Sequence, residues 1–189
     1  MGKIIVSDNV TVDGVVQDPT GEEGFERGGW FTQVGTNDRD AFGRAALDEA
    51  LAADAFLVGR RTYDFLASRW PSRTGELADR LNSLPKYVVS STLEDPEWNN
   101  TTVVKGDPVT AVSRLKQQLT GEIVVPASFQ LVHTLIEHDL VDELRLMVYP
   151  FVLGAGRRLF DETNDKLSLH VVDNRTLGDD LTYVTYEVG

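Results

Sequence analysis

The sequence predicts an α/β fold, a three-layer α/β/α arrangement whose mixed, mostly parallel central sheet is closed by a C-terminal antiparallel hairpin. Short apolar runs alternate with helix-period segments through the first three quarters of the chain, the order that builds parallel strands joined by helical crossovers. The last two strand-like runs are separated only by the turn-rich connector Thr176-Leu177-Gly178-Asp179-Asp180, which suits a hairpin. Across the 189 residues no linker, internal repeat or low-complexity stretch appears, so residues 1–189 are expected to form one domain.

Each element follows from its own pattern. Strands are expected at Lys3–Ser7, Ala55–Val58, Tyr87–Ser91, Thr102–Val104, Ile123–Val125 and Glu143–Tyr149, all short runs rich in Val, Ile, Leu or Tyr. Helices are expected between them at Asp40–Ala52, Thr62–Arg69, Val109–Leu119 and Phe129–Glu137. The third is the clearest, because Val112, Leu115 and Leu119 recur on one helical face. Leu167–Arg175 and Leu181–Val188 supply the closing hairpin. The segment Asp18–Thr36 is irregular, with Gly21, Gly24, Gly28, Gly29 and Gly35 among Phe25, Trp30 and Phe31. Two readings fit it equally: a mobile lid, or a surface loop pinned by buried aromatics.

Composition narrows the function. The net charge of −12 argues against nucleic acid or an anionic membrane as partner, since neutralising phosphates takes clustered Lys and Arg. No cysteine is present, which excludes disulfides, Cys-ligated zinc and thiol nucleophiles. The three histidines, His133, His138 and His170, lack the spacing of a metal site, so no metal is expected. No apolar run is long enough for a membrane span, the N-terminus lacks the pattern of a signal peptide, and a cytoplasmic protein is expected.

Four segments carry candidate chemistry, since ligands in open α/β sheets bind beyond the carboxyl ends of strands. In the first, a strand runs directly into Gly59-Arg60-Arg61-Thr62, where a helix start, a glycine and two cations suit a phosphate; an ordinary strand-to-helix turn fits equally. Ser90, Ser91 and Thr92 close another strand and offer three hydroxyls. Pro126-Ala127-Ser128-Phe129 follows a third strand, with Ser128 placed to cap the next helix. The fourth is Val12-Asp13-Gly14, read either as an Asx turn or as a carboxylate beside a reacting ring. Leu153-Gly154-Ala155-Gly156-Arg157-Arg158 lacks the third glycine of a dinucleotide fingerprint and reads as a glycine-rich turn.

Taken in order, Thr11-Val12-Asp13-Gly14, Phe56–Tyr63, Lys86–Leu93 and Leu140–Pro150 leading into Val152–Gly156 resemble the dihydrofolate reductase-like superfamily. The resemblance is closest to the reductase domain of bacterial bifunctional riboflavin-biosynthesis deaminase-reductases and related stand-alone proteins. It covers nearly the whole chain and implies an NADPH-dependent reductase that delivers hydride to a small heterocycle resembling a pterin, pyrimidine or flavin precursor. It further implies that Gly59, Arg60, Arg61, Thr62, Ser90, Ser91 and Thr92 hold the cofactor's phosphates, that Val12 and Gly14 line the site, and that Asp13 is the catalytic carboxylate. The family's second phosphate loop, Gly-Gly or Gly-Ser, falls on Ala127-Ser128, with Phe129 next to it. No carboxylate matches the one with which dihydrofolate reductases hold folate, and the zinc-dependent deaminase half has no counterpart. A homodimer is implied as well. The alternative is a relative of the same fold that binds a nucleotide or another ligand without turnover, which the Pro126-Ala127 departure favours.

Overall fold

Apolar runs bounded by glycine, proline or charged turns form the strands of the computed structural model, which describes residues 1–160 and 166–189. Among these residues there are eight strands, all in one sheet: β1 (Lys3–Thr11), β2 (Ala53–Gly59), β3 (Lys86–Val89), β4 (Thr101–Val104), β5 (Glu122–Pro126), β6 (Glu143–Tyr149), β7 (Leu169–Leu177) and β8 (Leu181–Val188). The five α-helices are α1 (Thr36–Ala52), α2 (Arg60–Ala67), α3 (Glu76–Ser83), α4 (Pro108–Gln118) and α5 (Phe129–Glu137). The chain divides into two compact units that interleave in sequence: Met1–Val6 with Ala46–Asp142, and Ser7–Ala45 with Glu143–Gly189. Neither is one contiguous segment, which is why no linker marks a boundary.

In the first unit the strand order is β4-β3-β2-β5-β1. The β2–β3, β3–β4 and β2–β5 pairs are parallel, and Gly59 lies opposite Val89. Parallel neighbours need long crossovers, which α2 with α3 and α4 supply. Strands covered on both faces read as continuous apolar runs, as Phe56-Leu57-Val58 and Ile123-Val124-Val125 do; all six are buried. Phe56, Val58, Leu81, Val88 and Trp98 pack together, with Tyr63 of α2 against Trp98. Lys86 is buried in this unit, and its ammonium donates to the carbonyls of Leu84 (2.7 Å), Asn99 (2.9 Å) and Asn82 (3.3 Å). Those bonds satisfy all three protons, while burial lowers its pKa to about 8.

In the second unit the order is β1-β6-β8-β7, with β6–β8 and β7–β8 antiparallel. Its core is built by Trp30, Val34, Met147, Tyr149 and Leu181. Asp38, in the first turn of α1, is 1% exposed and accepts the amides of Gly35, Asp179 and Asp180. That carboxylate ties the start of α1 to the hairpin turn, where Gly178 at φ 63° would place a Cβ 2.5 Å from the Asp38 Oδ1.

In Asp18–Thr36 the structure shows the buried pins that the second reading expects. Trp30 is 1% exposed, donates its indole N–H to the Gln17 carbonyl (3.1 Å) and meets Tyr149 edge-on at 5.2 Å. Asp18 is buried at φ 48° and accepts the amides of Glu23 and Phe25, both at 3.0 Å. Other departures from the sequence reading concern ends and one omission. Helix α1 begins at Thr36 and α2 at Arg60, β1 continues to Thr11, and α3 was not anticipated.

Candidate functional site

Parallel pairing brings three of the four expected segments together in the first unit. Gly59-Arg60-Arg61-Thr62, Ser90-Ser91-Thr92 and Ala127-Ser128-Phe129 follow the carboxyl ends of the adjacent strands β2, β3 and β5. Each crossover must return to the opposite end of the sheet, so the turns that leave these strands gather on one side. Neither α2 nor α5 has a side-chain cap at its start. Gly59 has an ordinary φ of −76°, and a Cβ added there would meet only the Leu131 Cβ at 4.0 Å. The fold itself therefore does not require glycine, whose bareness leaves the space over the helix start open.

The β5–α5 turn does hold a demanding backbone. Ala127 (φ 49°) and Ser128 (φ 61°) are consecutive left-handed residues, a conformation that costs a side-chain-bearing residue on the order of 1 kcal/mol or more each. This is a glycine shape built without glycine. Ser128 is buried and interlocks the two helix starts. Its hydroxyl accepts the Gly59 amide and donates to the Pro126 carbonyl, and its own amide donates to the Thr62 hydroxyl, all at 3.1 Å.

Arg60 crosses from α2 to the end of β3. Its Nε donates to both oxygens of Asp64 at 2.9 Å, and its Nη1 reaches the Thr92 Oγ1 at 3.5 Å. The Ser90 hydroxyl accepts the amides of Thr92 (3.2 Å) and Leu93 (3.1 Å), shaping the turn, whereas Ser91 and Thr92 are exposed. Arg61 is exposed in the first turn of α2, and Phe129 opens α5 with its ring 4.3 Å from that of His133. An uncapped pair of helix starts beside a guanidinium and two exposed hydroxyls fits the phosphates of a dinucleotide.

The fourth segment belongs to the second unit, where Val12 is 62% exposed and Gly14 turns at φ 79°. The Asp13 carboxylate accepts the Thr11 hydroxyl (2.6 Å), the Gly154 amide (2.8 Å) and the Leu153 amide (3.2 Å), with Arg158 Nη2 at 3.8 Å. Burial alone would push its pKa up, but the hydrogen bonds from Thr11, Gly154 and Leu153 together outweigh it and hold the group at about 2. Asp13 is therefore an ionised anchor throughout the neutral range, able to accept a hydrogen bond and unable to give up a proton.

A carboxyl that burial pushes toward neutrality lies outside the four segments read from the sequence. Ser7-Asp8-Asn9 are three half-buried polar residues inside β1, flanked by buried Val6 and Val10. Burial pushes the Asp8 carboxyl up to about 7, against one opposing bond from the Asn9 amide at 2.8 Å. The signal that could have found it was a polar triplet interrupting an apolar strand. Among the described residues no group of His, Asp or Glu is placed to hold a metal, and no helix is long and apolar enough to cross a membrane.

Parallel strands with helical crossovers and a closing antiparallel hairpin define a dihydrofolate reductase-like domain of the riboflavin-reductase type. Residues 2–183 match the RibD C-terminal domain, and the chain belongs to that family. The protein YyaP of Bacillus subtilis (strain 168) is 29% identical over 138 residues, spanning 70% of this chain and 73% of the relative. A Shewanella sp. PV-4 protein named for riboflavin biosynthesis superposes with a TM-score of 0.76 at 25% identity, covering 99% of both chains. The Thermotoga maritima diaminohydroxyphosphoribosylaminopyrimidine deaminase/5-amino-6-(5-phosphoribosylamino)uracil reductase aligns over all of this chain but 57% of its own, with a TM-score of 0.65. At 14% identity that likeness is one of fold.

Proposed function

We propose that the chain is an NADPH-dependent reductase acting on a C=N or C=O bond of a small heterocycle. The observation that carries this reading is the left-handed Ala127-Ser128 pair, which keeps a glycine-type turn at an energetic cost beside the start of α2. Strain of this kind persists where the surroundings and a function both demand it. Family membership supports the same reading. When bound, NADPH supplies the hydride.

The chain's own residues bind and orient. Arg60, Arg61 and Thr62, together with Ser90, Ser91 and Thr92, hold phosphate oxygens, Gly59 leaves room for their close approach, and Ala127, Ser128 and Phe129 shape the start of α5 beside them. The resemblance assigns Asp13, with Val12 and Gly14, to the substrate, and its low pKa makes it a fixed, ionised acceptor and not a proton donor.

One observation favours the alternative of a ligand-binding relative without turnover. The amides of Gly59 and Ser128 are already taken by the Ser128 and Thr62 hydroxyls, which leaves fewer donors for a pyrophosphate. Titration of the protein with NADPH and NADH, by calorimetry and by energy transfer from its three tryptophans, separates the readings. The reductase predicts saturable micromolar binding that favours NADPH, and Arg60→Ala weakens NADPH about tenfold while leaving NADH nearly unchanged. Absence of binding by both nucleotides overturns the reductase in favour of the other reading.

A further inference from the structure

The side chain that orients Arg60 is one that the cofactor reading does not use. Asp64 lies one helical turn further along α2, and its two carboxylate oxygens both sit 2.9 Å from the Arg60 Nε. The pair is half-exposed, at 41% and 53%. A guanidinium has separate edges: a carboxylate on Nε engages one side and leaves the Nη nitrogens for something else. Here Nη1 is directed at the Thr92 hydroxyl, 3.5 Å away at the end of β3. Arg60 and Thr92 thus form a two-sided grip that spans the gap between α2 and β3, with Asp64 behind it.

We propose that Asp64 is a specificity-determining positioning residue, which holds the Arg60–Thr92 grip ready for the phosphate that distinguishes NADPH from NADH. The inference rests on the reductase reading above. An exposed arginine otherwise distributes over many rotamers, and ordering it on binding consumes part of the gain from the phosphate contact. A carboxylate that already engages Nε removes part of that cost. The opposing effect is the negative charge of Asp64, which repels an incoming phosphate. At this exposed site water screens that repulsion, and the carboxylate faces the Nε edge while the Nη edge faces Thr92. Orientation therefore outweighs repulsion, and losing Asp64 lowers selectivity although it removes an unfavourable charge.

The test compares equilibrium affinities of NADPH and NADH for the wild type, Asp64→Asn and Arg60→Lys. The expected result is a wild-type preference for NADPH that falls roughly twofold in Asp64→Asn, almost entirely through weaker NADPH binding. Arg60→Lys keeps the charge but lacks separate edges, and it loses the preference to a similar extent. A merely structural role for Asp64 would weaken both nucleotides together and so overturns the proposal. A preference in Asp64→Asn that is unchanged or stronger also overturns it, while leaving the reductase reading intact. A wild type that binds neither nucleotide, or both equally, instead removes the reading on which the proposal rests.

Discussion

Asp13 accepts three hydrogen bonds, two of them from amides of Leu153 and Gly154 that lie far along the chain from it. Its folded pKa of about 2 lies below the ordinary value of 3.8, so its stabilising contribution is complete above 3.8 and disappears as pH falls toward 2. Asp13→Asn should cost about 1–2 kcal/mol at pH 7, allowing for partial solvent contact, and the gap from wild type should narrow as pH drops from 5 toward 3. Chemical denaturation of both proteins across that range checks it; a gap independent of pH would show that geometry and not charge is what Asp13 supplies. The Val-Asp-Gly turn was legible in the sequence because its cue is local. Its partners were not, since nothing near Asp13 announces the amides of Leu153 and Gly154.

Strands β2 and β5 of the first unit were legible as elements because burial on both faces forces continuous apolar runs. The grouping of Gly59, Ser90 and Ser128 was legible for the same reason: parallel strands put their carboxyl ends together. Helix ends were harder, as the first turn of α1 is stabilised by the Asp38 contacts with Asp179 and Asp180, which are tertiary and leave no local mark. The α3 sequence Glu76–Ser83 has Leu77, Ala78 and Leu81 to bury, but eight residues after Gly75 are too few for a strong period. The glycine-rich loop was undecidable from sequence because its pin, Tyr149, lies on β6. Trp30→Ala should cost about 3–5 kcal/mol and open residues 18–36 to proteolysis, measured by denaturation and limited digestion. A loop working as a lid would tolerate the change with little loss.

Acidic groups outnumber basic ones 30 to 18, so repulsion between surface charges grows as the carboxylates ionise. Half-buried Asp8 adds a contribution of the same sign. Because its folded value of about 7 lies above the ordinary 3.8, its contribution to stability is complete below 3.8 and is lost as the pH rises through 7. Asp8→Asn should therefore flatten the stability profile, matching wild type near pH 3.5 and exceeding it at pH 8 by about 2–3 kcal/mol, or on the order of 5 °C in Tm. Thermal denaturation at both pH values checks this, and equal shifts at the two would exclude a titrating Asp8. The comparison also separates Asp8 from the general acidity of the molecule, which both proteins share.

The interleaving of the two units has a consequence for how the molecule is made. All residues of the first unit exist once Asp142 has left the ribosome, whereas the second has only Ser7–Ala45 at that point. Trp30 and Phe31 are then already synthesised, while Tyr149, the ring both of them pack against, is not. Vectorial translation thus leaves an aromatic, glycine-rich stretch of nascent chain without its docking ring for the interval it takes to reach β6.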